Sequence, residues 1–224
     1  MAEFGIPTDK PPTRIDELID GRLMARLDGL DVRSRKIFAG KLQGERRSKK
    51  RGQSVEFADY RHYTHGDDLR FIDWNIYARL DRLFLKMFLE EEDLSLVIVV
   101  YCSASMNFGN PSKFEFARRL AMALGYIGLV NQNRVSIHAV GPEGVRPLTG
   151  LRGRRRTREM GGWLLDLAPG GRCDFAAAMK TIALSRQGRG VLCLLSDMLL
   201  KEGYEDGLRY LAGGGYDTFC MQLL

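Results

Sequence analysis

The sequence predicts an α/β protein: a doubly wound, mainly parallel sheet with helices on both faces, entered through an N-terminal α/β extension. Three observations carry that expectation. Leu94 to Cys102 is apolar on both faces and rich in β-branched residues, and Gly190 to Leu195 is apolar throughout, as strands covered on both faces are. From residue 94 the periodicities run strand, helix, strand, helix, helix, strand, helix, strand, the alternation that builds parallel crossovers. The chain has 224 residues, 45% of them hydrophobic, which is enough for one full core and a small addition.

The elements follow in order. Residues 1–12 are polar and contain prolines, and read as a mobile leader. Ile15, Leu18, Ile19, Leu23 and Leu27 recur at helical spacing behind the start signals Thr13 and Asp16, predicting a first amphipathic helix. Val32 to Phe38 is a candidate second helix. Lys41 to Ser54 lacks apolar periodicity and reads as a loop. Glu56 to Tyr63 is extended, His65 to Asp68 is a turn, and Ile72 to Leu80 is a helix for which Asp73 is the candidate cap. Leu83 to Leu89 alternates as a strand. After the central strand, Lys113 to Gln132 is a long helix, Arg134 to Val140 a strand, and Thr157 to Leu167 and Asp174 to Leu184 are helices. Tyr204 to Leu211 is a helix and Thr218 to Leu224 a last strand. The chain stops inside that apolar strand, so the sheet domain is expected to be incomplete at its C-terminal end. The expected division is thus a leader over 1–12, a region over 13–93 with the N-terminal helix, basic loop and charged motif, and the sheet domain over 94–224.

The net charge of +6 is local. Lys41 to Gly52 holds six basic residues against Glu45, and Arg152 to Arg158 holds five arginines and no acid. Such runs speak of partners or loops rather than of fold. Cys102, Cys173, Cys193 and Cys220 form no C-x-x-C pair and read as small hydrophobes in a reducing compartment. The N-terminus has no apolar signal region, and no apolar run approaches the roughly 20 residues of a membrane span. The expected location is the cytoplasm.

The most concentrated chemistry lies between Arg61 and Glu92. Arg61, Arg70, Arg79 and Arg82 are interleaved there with Asp67, Asp68, Asp73 and Asp81 around Trp74. Charges of both signs beside an apolar strand are expected to pair, because a desolvated charge costs several kcal/mol without a partner. The expectation is a cross-linked polar knot in which Asp67, Asp68 and Asp73 pair with Arg61, Arg70 and Arg79. Trp74 and Tyr77 are either partner anchors or buried packing.

The run Gly44, Ser48, Gly52, Glu56-Phe57, Arg61, Tyr63, Gly66-Asp67-Asp68, Arg70, Ile72-Asp73-Trp74, Ala78-Arg79 and Lys86, followed by Ser103, Ser105 and Met106, resembles the domain of unknown function 58 family over about residues 13–224. The resemblance implies a von Willebrand factor A-like second half and a partner among MoxR-type AAA+ ATPases, but no established reaction. Von Willebrand A domains often hold Mg²⁺ at a metal-ion-dependent adhesion site: Asp-x-Ser-x-Ser, a Thr in a Gly-rich loop, and a later Asp. Here Ser103, Ser105 and Asp197 match, while Tyr101 stands where the first Asp belongs and Cys173 where the Thr belongs. Mg²⁺ favours oxygen ligands that include carboxylates, so the site is read as degenerate and no cofactor is assigned. The plainer reading is that both serines and Asp197 cap the segments that follow them.

The preferred function is a non-enzymatic interaction module working with a MoxR-type ATPase or its client, its partner-binding residues being Arg61, Asp67, Asp68, Arg70, Asp73, Trp74 and Arg79. One alternative is a metal-dependent hydrolase built on His62, His65, Asp67, Asp68 and Asp73, ligand types that suit zinc or manganese. Another is nucleic-acid binding through the two basic runs, although neither is interleaved with aromatics for base stacking. No G-x-x-x-x-G-K-[ST] phosphate loop is present, and no Ser-His-Asp arrangement follows from spacing.

Overall fold

The computed structural model describes residues 12–32, 56–89, 94–185 and 190–224. These fall into two compact units, residues 56–89 by themselves and residues 12–32 together with 94–224. The expected second helix over 32–38, the basic loop over 41–54 and nearly all of the leader lie outside the described residues.

The larger unit is built on a five-stranded sheet. Its strands are β3 (Ser95–Tyr101), β4 (Arg134–Gly141), β5 (Gly144–Leu151), β6 (Gly190–Ser196) and β7 (Tyr216–Gln222), in the order β5-β4-β3-β6-β7. β3 is central and parallel to both neighbours: Ser95 pairs with Arg134 on one side and with Gly190 on the other. β7 continues the parallel run beside β6, and β5 closes the opposite edge antiparallel to β4. Every residue of β3 and of β6 is buried. The doubly wound, mainly parallel sheet expected from the sequence is present. β5 was not expected. Pro147 sits within it, opposite His138, and a proline is tolerated there because an edge strand leaves one row of N–H groups unpaired.

Helices α4 (Lys113–Val130), α5 (Thr157–Leu165), α6 (Phe175–Leu184) and α7 (Glu205–Gly213) cover the sheet. Alternation along β3 separates the two faces. A methyl group added at Gly128 of α4 would come within 2.9 Å of Leu96 and 2.7 Å of Val135, and one at Gly125 would meet Met160 of α5 and Ile98. Leu96 and Ile98 therefore face α4. Tyr101, of opposite parity, meets the Phe175 ring of α6 edge-on at 5.9 Å, and Phe175 and Met179 pack on Gly207 of α7.

The first helix is broken into α1 (Ile15–Leu18) and α2 (Gly21–Leu27). Ile19 is extended, and Asp20 takes the cap position by accepting the Leu23 N–H at 2.6 Å. A local cap has prevailed over a continuous apolar stripe. Both segments pack in the sheet unit: Ile15 lies against Gly161 of α5, and the Tyr126 hydroxyl donates to Asp28 at 2.6 Å. The N-terminal helices thus belong to the same compact unit as the sheet.

The smaller unit holds β1 (Glu56–His62) antiparallel to β2 (Phe84–Leu89), a 3₁₀ turn over Leu69–Phe71, and α3 (Trp74–Leu80). Among the described residues no helix is long and apolar enough to cross a membrane.

Candidate functional site

Two constellations hold the residues singled out in the sequence, one in each unit.

In the smaller unit the charged motif is internally paired. Arg61 Nη2 meets Asp67 Oδ1 at 2.8 Å, and its other terminal nitrogen donates to the Thr64 hydroxyl at 2.9 Å. Asp67 also accepts the Thr64 backbone N–H at 2.7 Å and the Thr64 hydroxyl at 2.8 Å. The Thr64 N–H, then Arg61 and the Thr64 hydroxyl, hold the Asp67 carboxyl down at about 2. Asp68 caps the 3₁₀ turn and grips Arg70 through two nitrogens, Nη2 at 2.6 Å and Nε at 3.0 Å. Asp73 is 5% exposed. One of its oxygens caps α3, accepting from Asn75 and Ile76, and the other accepts from the Tyr60 hydroxyl at 3.2 Å and meets Lys86 Nζ at 3.0 Å. Lys86 lowers the Asp73 carboxyl pKa most, against the opposing effect of burial.

The knot is therefore real, with one correction. Asp67 and Asp68 take the expected arginines, but Asp73 takes Lys86, and Arg79 is exposed on α3. The helical register explains the difference. Arg79 lies in the last turn of the helix that Asp73 starts, too far along the axis to return to its cap, whereas Lys86 on β2 faces Tyr60 on β1. The hydrolase arrangement is not assembled: His62 lies against the Phe84 ring at 4.4 Å, and among the described residues no three His, Cys, Asp or Glu side chains form a metal-ligand group. Trp74 does not pack inward. It is 60% exposed and stands edge-on to Tyr77, with exposed Leu69, Phe71 and Leu80 nearby in the chain.

In the larger unit, the carboxyl ends of β3 and β6 bring Ser103, Ser105 and Asp197 together. The two serine hydroxyls lie 2.8 Å apart. Asp197 is 1% exposed. It accepts the Leu199 N–H at 3.2 Å and is bonded by the Ser105 hydroxyl. A residue that the sequence reading missed completes the group: Lys113 Nζ, at the start of α4, lies 3.1 Å from Asp197 Oδ2. Burial opposes the charge on Asp197, yet Ser105, Lys113 and the Leu199 N–H together keep its pKa below the ordinary carboxylate value. A signal was available. A cation at the first helical position opposes the helix dipole, and such a residue is expected to have a local reason to be there. Ser112, not Ser103 or Ser105, caps α4, accepting the Glu115 N–H at 3.2 Å.

Tyr101 donates its hydroxyl to the Cys173 carbonyl at 3.2 Å, and burial raises its pKa so that it stays protonated. All four cysteines are free, Cys102 and Cys193 buried and Cys220 exposed. The arginine run is partly absorbed in structure. Arg154 holds Asp28 at 3.2 Å and the Tyr126 hydroxyl at 2.6 Å, and Arg156 holds Glu159 at 2.7 Å.

Sheet order and rim together define an open α/β domain with a polar cluster at its strand ends, joined in the sequence to a small charged hairpin unit. The family model described as "Protein of unknown function DUF58" matches residues 59–223, and the chain belongs to that family. The chain is 26% identical over 208 residues to the uncharacterized proteins Mb1516 of Mycobacterium bovis and Rv1480 of Mycobacterium tuberculosis, covering 90% of this chain and 66% of theirs. It therefore spans a little under two thirds of the length of these curated relatives. Among solved structures, it is similar to a von Willebrand factor type A protein from Catenulispora acidiphila (TM-score 0.43, 16% identity, 61% of this chain and 34% of the other). It is also similar to the SpRpn10 VWA domain (TM-score 0.40, 13% identity, 59% and 90%). A third likeness is to an aerotolerance-related membrane protein from Bacteroides fragilis (TM-score 0.45, 16% identity, 58% and 67%).

Proposed function

We propose that this chain is a non-enzymatic protein-interaction module that docks on its partner through residues 61–80. The observation that carries the reading is the exposure of Trp74, with Leu69, Phe71, Tyr77 and Leu80 also exposed, beside acids already neutralised by their own neighbours. Apolar side chains clustered on a small unit are costly to leave in water and mark interaction sites. Tryptophan and tyrosine are the side chains that most often anchor such sites. In this reading Asp67 and Asp73 shape the surface from within, while Asp68, Arg70 and Arg79 supply its polar border and Arg61 fixes the turn. The partner is a MoxR-type AAA+ ATPase or a client protein whose assembly or maturation that ATPase serves, as the family resemblance implies.

The test is affinity capture from a host that encodes such an ATPase, comparing the wild type with Trp74→Ala and Tyr77→Ala. Loss of the ATPase from both variants, with unchanged thermal melting, is the expected result. An anchor of this kind contributes about 2 kcal/mol or more, so capture should fall at least about tenfold. Equal recovery by all three proteins would overturn the reading.

A further inference from the structure

The strand-end rim is the place where a von Willebrand A domain would hold a divalent cation, and the residues present do not fit one. The leading carboxylate is replaced by Tyr101, whose hydroxyl is committed to the Cys173 carbonyl. Ser103 and Ser105 are bonded to each other. Of the two Asp197 oxygens, one accepts the Leu199 N–H and the other meets the Lys113 ammonium at 3.1 Å. Lys113 is itself largely enclosed, its side chain 12% exposed. A divalent ion would have to reach a single carboxylate already paired with a cation, with no second carboxylate among the replaced ligands. Hard cations of this kind call for oxygen ligands and usually one or two carboxylates.

We infer that the Lys113 ammonium takes the place of the divalent cation at this rim. It is a fixed internal charge that ties the end of β6 to the start of α4 without metal. Geometry favours this over an accidental contact. Lysine supplies three donors on a flexible stem. Its position at the first turn of α4, on the residue after the Ser112 cap, brings the ammonium to a carboxylate 84 positions away in the chain. The reading concerns the rim alone and does not depend on how residues 61–80 bind a partner.

Manganese binding tests it, read by the electron paramagnetic resonance of free Mn²⁺ and by melting temperature in EDTA or MgCl₂. The proteins are the 224-residue wild type, Asp197→Asn, Lys113→Ser, and Lys113→Ser with Tyr101→Asp. The expected wild type takes up no stoichiometric Mn²⁺ and melts at the same temperature in either medium. Lys113→Ser melts lower in EDTA and regains part of the loss in MgCl₂. Restoring the second carboxylate in the double variant tightens Mn²⁺ binding about tenfold or more over wild type. Stoichiometric wild-type uptake that Asp197→Asn abolishes would overturn the inference, as would folded Lys113 variants with neither a lower melting point nor any gain in Mn²⁺. If the Lys113 variants do not fold, the wild-type titration decides between these outcomes.

Discussion

Asp67 is held in its charged form by three hydrogen bonds from two residues, and its carboxyl pKa of about 2 lies below the unfolded value of 3.8. Its stabilising contribution is therefore complete above pH 4 and is lost as the pH falls toward 2. The expected observation is a carboxyl-carbon NMR titration of Asp67 with a midpoint near 2, which Arg61→Ala moves upward. Lys113 and Asp197 give a second expectation. Removing one partner of a buried pair strands the other charge and costs about 3–5 kcal/mol. Lys113→Met should cost about that much in denaturant unfolding, and adding Asp197→Asn should recover part of the loss. A double variant as unstable as the sum of the two single ones would show that the pair is not coupled. At this scale the sequence was informative about chemistry and less so about partners. It marked Asp67, Asp68 and Asp73 as paired acids, and Asp197, Ser103 and Ser105 as a group. Proximity along the chain favoured Arg79 over Lys86 for Asp73, because strand pairing across a hairpin leaves no trace in spacing.

Helix α4 illustrates how an element is specified. Its apolar face and the Ser112 cap define the span Lys113–Val130, and glycines at positions 125 and 128 let the sheet and α5 come close. A methyl group at 128 must displace Leu96 and Val135 together, so Gly128→Ala is expected to destabilise by about 1–3 kcal/mol, despite the better helix propensity of alanine. A denaturant midpoint at or above wild type would contradict that packing. The strongly patterned elements were legible: α4, β3, β6 and the capped helix Phe175–Leu184, where Asp174 accepts the Ala177 N–H at 2.9 Å. Two features were not. β5 has an exposed, mixed face and contains Pro147, and both suppress the alternation that reveals a strand. The break at Ile19 and Asp20 was hidden because the apolar residues on either side keep helical spacing across it.

For the molecule as a whole, acid stability depends on a group that no motif indicated. His138 is 5% exposed, and its Nδ1 has no hydrogen-bond partner among the described residues. Burial lowers its pKa from 6.5 to about 4. Between those values the unfolded chain binds the proton more readily, so stability falls as the pH falls through that window, by up to about 3 kcal/mol. Denaturant unfolding at pH 7 and pH 4.5 should show the slope, and His138→Leu should flatten it. The fold class was readable at this scale because buried parallel strands must be apolar on both faces. The division into units was not, because helical spacing in residues 15–27 says that a face is buried but not against what.

The placement of β3 has a consequence for synthesis. Both of its hydrogen-bonding neighbours are encoded after it, and the second begins only at Gly190. While the ribosome is still making α4 to α6, this most apolar strand has at least one unsatisfied margin, a template for pairing with another nascent chain. Expression yield should therefore respond more to translation speed and chaperone supply between Asn131 and Gly190 than to the equilibrium stability of the finished sheet.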